Sequence, residues 1–215
     1  PSQIRRRRKN QKGMTMKLTA KQKLQVAKNV VVEIPLEILQ FLVVPVALIF
    51  CGKESEKLPR WAAWFDDPDY GINGDDGWKG EHYPNGKNRT YWARLCWLYR
   101  NRIGVFSAKY LGVKVEDIDA GTVRTQGDVF ATYNKGQKNT ECLVTCKMKD
   151  GTERFGYYRE IRYGKSKWYC RIYLGWKLMD IVGMREDNKH TYMDENDKKI
   201  LQTVWAINPF KRIKE

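Results

Sequence analysis

Histidine is nearly absent from this 215-residue sequence, with His82 and His190 the only two. A zinc centre wants clustered imidazoles and thiolates, and nucleophile–base pairs lean on histidine, so both chemistries begin with almost no material. The five cysteines (Cys51, Cys96, Cys142, Cys146, Cys170) form an odd, scattered set. That excludes the dense disulfide framework of a small secreted domain and fits reduced packing residues. Cys142 and Cys146 fall on one face of a strand-like segment, but about 13 Å of extended chain separates them, too far for one shared zinc ion. Phosphate-binding glycine loops, Ser–His or Cys–His arrangements and internal repeats are also missing. Acidic residues are absent from residues 1–29, which hold ten basic ones.

The full chain carries 40 Lys and Arg against 25 Asp and Glu, a formal +15, which points to nucleic acid or an anionic membrane as partner. Most of that excess is local. Residues 30–215 hold 30 basic residues against 25 acidic ones, only +5. Residues 1–29 therefore read as a basic arm, densest at Arg5–Arg8. The sequence opens on Pro1, whereas Met16-Lys17-Leu18-Thr19 resembles a start, so residues 1–13 are expected to be upstream read-through or an expression remnant. Without them the charge falls by six, to +9.

From Ile38 to Gly52 (ILQFLVVPVALIFCG) fifteen residues pass without a charge. Extended back to Val30, the stretch is interrupted by Glu33, Glu37, Gln40 and two prolines, Pro35 and Pro45. A spanning helix needs about 20 mostly apolar residues. Ile34–Cys51 is the candidate, with Glu37 reaching headgroup water and Pro45 kinking the helix. A buried core helix is the alternative. No amphipathic stripe is legible between Phe41 and Cys51, lysines crowd the preceding side (Lys17, Lys21, Lys23, Lys28), and Trp61, Trp64 and Phe65 follow as an interfacial aromatic belt. Residues 30–52 are thus expected to be a membrane-associated segment, spanning or re-entrant. Its anchor would be Ile38, Phe41, Leu42, Val43, Val44, Pro45, Leu48, Ile49 and Phe50. No small-residue cleavage site follows it, which argues against a signal peptide.

Residues 65–78 (FDDPDYGINGDDGW) gather five aspartates, an asparagine and three glycines. Hard oxygens and tight turns of this kind suit Ca²⁺ or Mg²⁺, and Asp67, Asp69, Asn73 and Asp75 are the candidate ligands. An EF-hand register fails, because a loop begun at Asp69 puts Gly71 where a side-chain ligand belongs and Gly80 where the closing Glu belongs. Asx-turns account for the same composition, and no metal is expected.

The order of these pieces is distinctive. Val43-Val44-Pro45, then Leu58-Pro59-Arg60-Trp61, then Trp64-Phe65-Asp66-Asp67-Pro68-Asp69-Tyr70-Gly71, then Gly74-Asp75-Asp76-Gly77-Trp78 and an aromatic helix, resembles an uncharacterised family of small membrane-associated proteins of tailed bacteriophages and prophages. The resemblance is close over residues 35–112 and looser over Phe155–Arg159, Tyr169–Ile172 and Gly175–Lys177. It implies a phage origin and carries no catalytic residue with it.

The rest of the chain is expected to complete an α+β domain over residues 53–183. Asn88 or Thr90 caps a helix over Tyr91–Asn101 whose Trp92, Leu95, Cys96 and Tyr99 make a core-facing stripe. A second helix, Val105–Leu111, ends at Gly112. Residues 122–182 read as an antiparallel meander, with a hairpin of Glu141–Lys149 and Thr152–Tyr163 around Asp150-Gly151, then a strand Trp168–Trp176. One face alternates Trp168, Cys170, Ile172, Leu174 and Trp176. The other presents Tyr158, Arg162, Tyr169, Arg171 and Tyr173 as a ligand face for single-stranded nucleic acid or lipid headgroups, unless these are ordinary cross-strand pairs. Residues 184–198 read as a polar linker, and residues 200–213 as a short closing segment broken at Asn208-Pro209.

Three functions follow. The first is a non-catalytic phage accessory protein at the host inner membrane or its cytoplasmic face, binding lipids or a host or phage membrane protein. The second is a cytoplasmic single-stranded nucleic-acid-binding protein, against which the modest +5 counts. The third is a metal-dependent enzyme on Asp66, Asp67, Asp69, Asp75 and Asp76, which lacks a base beyond the solitary His82.

Overall fold

The computed structural model describes residues 16–82, 90–182, 192–193 and 198–213. The Arg5–Arg8 run, Asn88 and most of the 184–198 linker lie outside the described residues. The first element among the described residues is one long helix, α1 (Ala20–Ile49), about 45 Å from end to end. Thr19 starts it with a capping box: its hydroxyl accepts the Gln22 amide, and the Gln22 side chain accepts the Thr19 amide. The helix thus begins ten residues before the apolar run and takes in Lys21, Lys23 and Lys28.

A 3₁₀ turn (Arg60–Phe65), α2 (Asp76–His82), α3 (Tyr91–Arg100) and α4 (Gly104–Lys109) follow. Together with the last turns of α1 they enclose one core of Val44, Leu48, Phe65, Ile72, Trp97, Leu98 and Ile103. Thr90 caps α3 by accepting the Ala93 amide. The face of α3 differs from the expected stripe. Arg94, Leu95, Trp97 and Leu98 are buried, while Trp92 and Cys96 are exposed. Arg94 is drawn inside because its guanidinium donates to the carbonyls of Gly52, Lys53 and Ser55 and to Asn73 Oδ1, tying the end of α1 to the acidic loop.

The remainder is an antiparallel sheet. After β1 (Val113–Lys114) come β2 (Ile118–Gly127), β3 (Thr140–Met148), β4 (Glu153–Arg162) and β5 (Trp168–Trp176), then α5 (Met179–Val182), β6 (Tyr192–Met193), β7 (Lys199–Leu201) and β8 (Thr203–Arg212). The five-stranded order is β2-β3-β4-β5-β8, beside a small β1-β7-β6 sheet. The Asp150-Gly151 hairpin forms as its alternation requires, with Lys147 opposite Glu153 and Gly151 at φ +82°. The closing segment is not broken. It becomes β8, an edge strand in which Pro209 sits at a register shift opposite Tyr169–Arg171, where no ladder donor is needed. A second core of Cys142, Val144, Phe155, Tyr158, Trp176 and Leu178 fills this half. α1 joins the halves: Val26 packs on the sheet core and Val44 in the helical one.

Candidate functional site

The long helix has its polarity turned inside out. Its buried residues are Glu33, Glu37, Gln40, Val44, Ala47 and Leu48. Glu33 is 3% exposed and Gln40 1%. On a helix turning about 100° per residue, Val31, Ile38, Leu42 and Ile49 lie within about 20° of one line on the opposite side. All four face out, Leu42 at 69% and Ile49 at 71% exposure. Phe41 and Phe50 are exposed beside them, as are Ile34 and Val46. The anchor set is therefore divided. Ile38, Phe41, Leu42, Ile49 and Phe50 are outward, whereas Val44 and Leu48 are core residues, with Val43 and Pro45 half-buried. Continuous hydrophobicity had hidden the stripe, because past Gln40 its inward members are apolar too.

Each inward polar group has a partner in the body. Glu33 accepts the hydroxyls of Ser107 and Thr203. Glu37 pairs with Arg102, whose guanidinium also lies 5.7 Å from the Trp205 ring centroid. Gln40 donates to the Leu98 carbonyl and accepts the Ile103 amide, both at 2.8 Å. Ile103 holds φ +42°, a left-handed conformation costly for a β-branched residue, and Gln40 pins that turn. Glu37 faces the body and not headgroup water, because Arg102 sits there.

The aromatic belt divides in the same way. Trp61 and Trp64 are exposed, Phe50 meeting Trp61 edge-on at 6.3 Å and Trp64 packing on Phe106 and Tyr110. Phe65 turns inward into the helical core. Trp92 and Tyr110 add to the exposed apolar surface.

The acidic loop spends its oxygens on its own backbone. Asp66 accepts the amides of Leu58 and Asp67. Burial raises its carboxyl to about 6, partly countered by those two bonds. Asp67 accepts the amides of Asp69 and Tyr70, and burial raises it too. Asp75 caps α2 by accepting the Trp78 amide. Asn73, a candidate ligand, instead joins Arg94 to the Ser55 carbonyl. Gly71 sits at φ +55° where a Cβ would lie 2.1 Å from the Glu56 carbonyl oxygen, so the glycine serves the turn. Among the described residues no three His, Cys, Asp or Glu side chains come together as a metal site. Asp67, Asp69 and Asp75 instead line one wall of a cavity of about 300 Å³ whose other walls carry Glu33, Arg102, Arg171 and Trp205.

The expected Tyr/Arg ligand face is an interior face. Tyr158 and Tyr169 are each 3% exposed. Tyr158 donates to Glu160, which also accepts from Asn134 Nδ2 and the Gly136 amide, so the segment after β2 folds over the sheet. A Cβ on Gly136 would meet the Tyr169 ring at 2.4 Å, a measure of how closely that cover sits. Burial pushes the Tyr158 and Tyr173 hydroxyls up, and Arg162 donates to the Gln137 carbonyl. Arg171 faces the cavity described above. On the opposite face Trp168 is exposed at the strand start while Trp176 is buried, donating to the Leu111 carbonyl.

The inward stripe Glu33, Glu37, Gln40 is the feature that periodicity could have found, since its spacing is i, i+4, i+7. No curated protein and no solved structure matches the chain. A family profile matches residues 20–215, from the first residue of α1 onward, and the chain belongs to that family of unknown function, DUF7338.

Proposed function

We propose that this protein is a non-catalytic membrane-surface protein whose α1 lies in the plane of a bilayer, its outer arc among the acyl chains. The inverted polarity of α1 carries the reading. A surface helix of a soluble domain buries its apolar stripe and shows its charges to water; here Glu33 and Glu37 are buried while Ile38, Leu42 and Ile49 are bare. Exposed Trp61, Trp64 and Trp92 suit headgroup depth, and Lys17, Lys21, Lys23 and Lys28 suit anionic phosphates on the cytoplasmic side.

Lying in the interface is favoured over spanning. α1 is bound to the body along its length, through Lys21 to Glu153, Glu33 to Thr203 and Gln40 to Leu98. A vertical helix would drag β8, an edge strand with one open side, toward hydrocarbon, where unpaired backbone groups cost several kcal/mol each. A phage accessory role at the host inner membrane is part of this proposal and rests on the motif succession of residues 35–112. The nucleic-acid alternative loses support with the burial of Tyr158 and Tyr169.

Flotation with phosphatidylcholine vesicles tests it. The wild-type chain is expected to float, and Ile38→Glu/Leu42→Glu to stay at the bottom with an unchanged melting temperature. If the folded double variant floats as well as wild type, the outer arc is not the contact.

A further inference from the structure

A different concave surface lies at the other end of α1. A groove of about 360 Å³ separates the first turns of α1 from β2, β3 and β4. Lys21, Arg124, Lys147 and Arg154 line it against one carboxylate, Glu153. Glu153 is already paired with Lys21 at 2.7 Å, and that contact holds its carboxyl below the usual range. The other three cations have no carboxylate within the groove to themselves. Among the described residues Arg124 donates to the carbonyls of Gly121 and Val123 and to no side chain. Arg154 lies 4.7 Å over the Trp176 ring and donates through Nη1 to the Glu153 carbonyl, its charge also acts on Asp150, and among the described residues its buried Nε has no hydrogen-bond partner. Lys147 makes no side-chain hydrogen bond among the described residues but lies near enough to share Glu153, whose carboxyl it helps hold down, and Phe155 and Cys146 add apolar lining to the groove.

We infer that this groove binds a phosphate-bearing anion. Four cations against one carboxylate leave an excess of three positive charges around one concavity, which matches a group that presents up to two negative charges and several acceptor oxygens better than it matches a single carboxylate. The apolar lining suits the carbon skeleton of an ester. The phosphate has two sources, a soluble phosphate ester or a phospholipid headgroup, and Lys21 stands on the flank of α1 between the groove and the outer arc. The inference does not depend on the bilayer reading, since a soluble ester would reach the groove without a membrane.

The full chain is titrated with glycerol 3-phosphate by calorimetry and floated with phosphatidylcholine vesicles with and without phosphatidic acid. Two charge reversals are compared: Arg124→Glu/Lys147→Glu at the exposed rim of the groove, and Lys57→Glu/Lys165→Glu, equal in charge and remote from it. The groove pair is expected to weaken ester binding at least about tenfold while the remote pair does not, as loss of charge-assisted bonds implies. Preference for phosphatidic acid without ester binding, abolished by the groove pair alone, identifies the headgroup as the source. Binding of neither, or equal loss in both pairs, overturns the inference. Leu42→Glu addresses only the outer arc and leaves ester binding intact, so the two readings fail separately.

Discussion

The hydroxyl of Tyr99 donates at 3.0 Å to the carbonyl of Phe41, the one carbonyl that Pro45 leaves without an intrahelical donor. The same two rings pack with centroids 4.7 Å apart, and eight residues earlier on α3 Tyr91 donates to the Pro45 carbonyl. α3 thus repairs α1 at the second of its two prolines, which explains how an apolar helix keeps Pro45 without breaking.

This repair gives a double-mutant test. Tyr99→Phe keeps the ring and removes the donor, and is expected to cost about 1 kcal/mol in urea unfolding. In a Pro45→Ala background, where residue 45 supplies its own amide to Phe41, the same change should cost much less. Equal costs in both backgrounds would mean that the hydroxyl does not serve the proline gap.

The two sides of α1 should respond in opposite ways to ordinary substitutions. Gln40→Leu adds hydrophobicity to a helix interior, yet it strands the Leu98 carbonyl and the Ile103 amide and should lower stability by about 3 kcal/mol. Leu42→Glu adds a charge to the most apolar stretch of the chain and should leave the melting temperature nearly unchanged, because its side chain already faces out. Thermal unfolding of both variants, without vesicles, decides it; a larger loss from Leu42→Glu would mean that the outer arc is covered in solution.

What the sequence made legible follows the range of the interactions involved. The α+β architecture, the Asp150-Gly151 hairpin and β5 depend on alternation and turn chemistry within about ten residues, and they form as expected. The inward stripe of α1 was local too, but Glu33, Glu37 and Gln40 look like interruptions of a span unless their helical spacing is counted. Arg94 could not be placed from α3 alone, since its partners Gly52, Lys53 and Ser55 lie about 40 residues earlier. The alternation of Tyr169, Arg171 and Tyr173 was correct, and the side covered was not. That cover comes from Asn134 and Gly136, brought onto Glu160 by tertiary folding.

Asp66 should impose a pH dependence on stability. Its carboxyl is raised to about 6 in the folded chain from an unfolded value of 3.8. Between those values the folded state binds more protons at this group, so its contribution to stability falls as pH rises from about 4 to about 6 and is constant above. At about 1.4 kcal/mol per pH unit the full effect is on the order of 3 kcal/mol. Asp66→Asn cannot ionise and should make that part of the stability curve less steep, leaving the smaller slope of the other buried carboxyls, Asp67, Glu33 and Glu37. Parallel curves for the two proteins across this window would show that Asp66 is not the responsible group.

The loop from Asp66 to Asp75 should ignore Ca²⁺ and depend on its glycine. The oxygens that a cation would need are accepting the amides of Leu58, Asp67, Asp69, Tyr70 and Trp78, so ligation would have to break those turns first. The melting temperature is therefore expected to be the same in excess Ca²⁺ and in chelator, whereas a ligand at 100 times its dissociation constant would add about 2.7 kcal/mol. Gly71→Ala places a methyl against the Glu56 carbonyl at a positive φ and should cost more than about 1 kcal/mol under both conditions. A clear rise with Ca²⁺ that Gly71→Ala removes would recast the loop as a metal site assembled by the same turn.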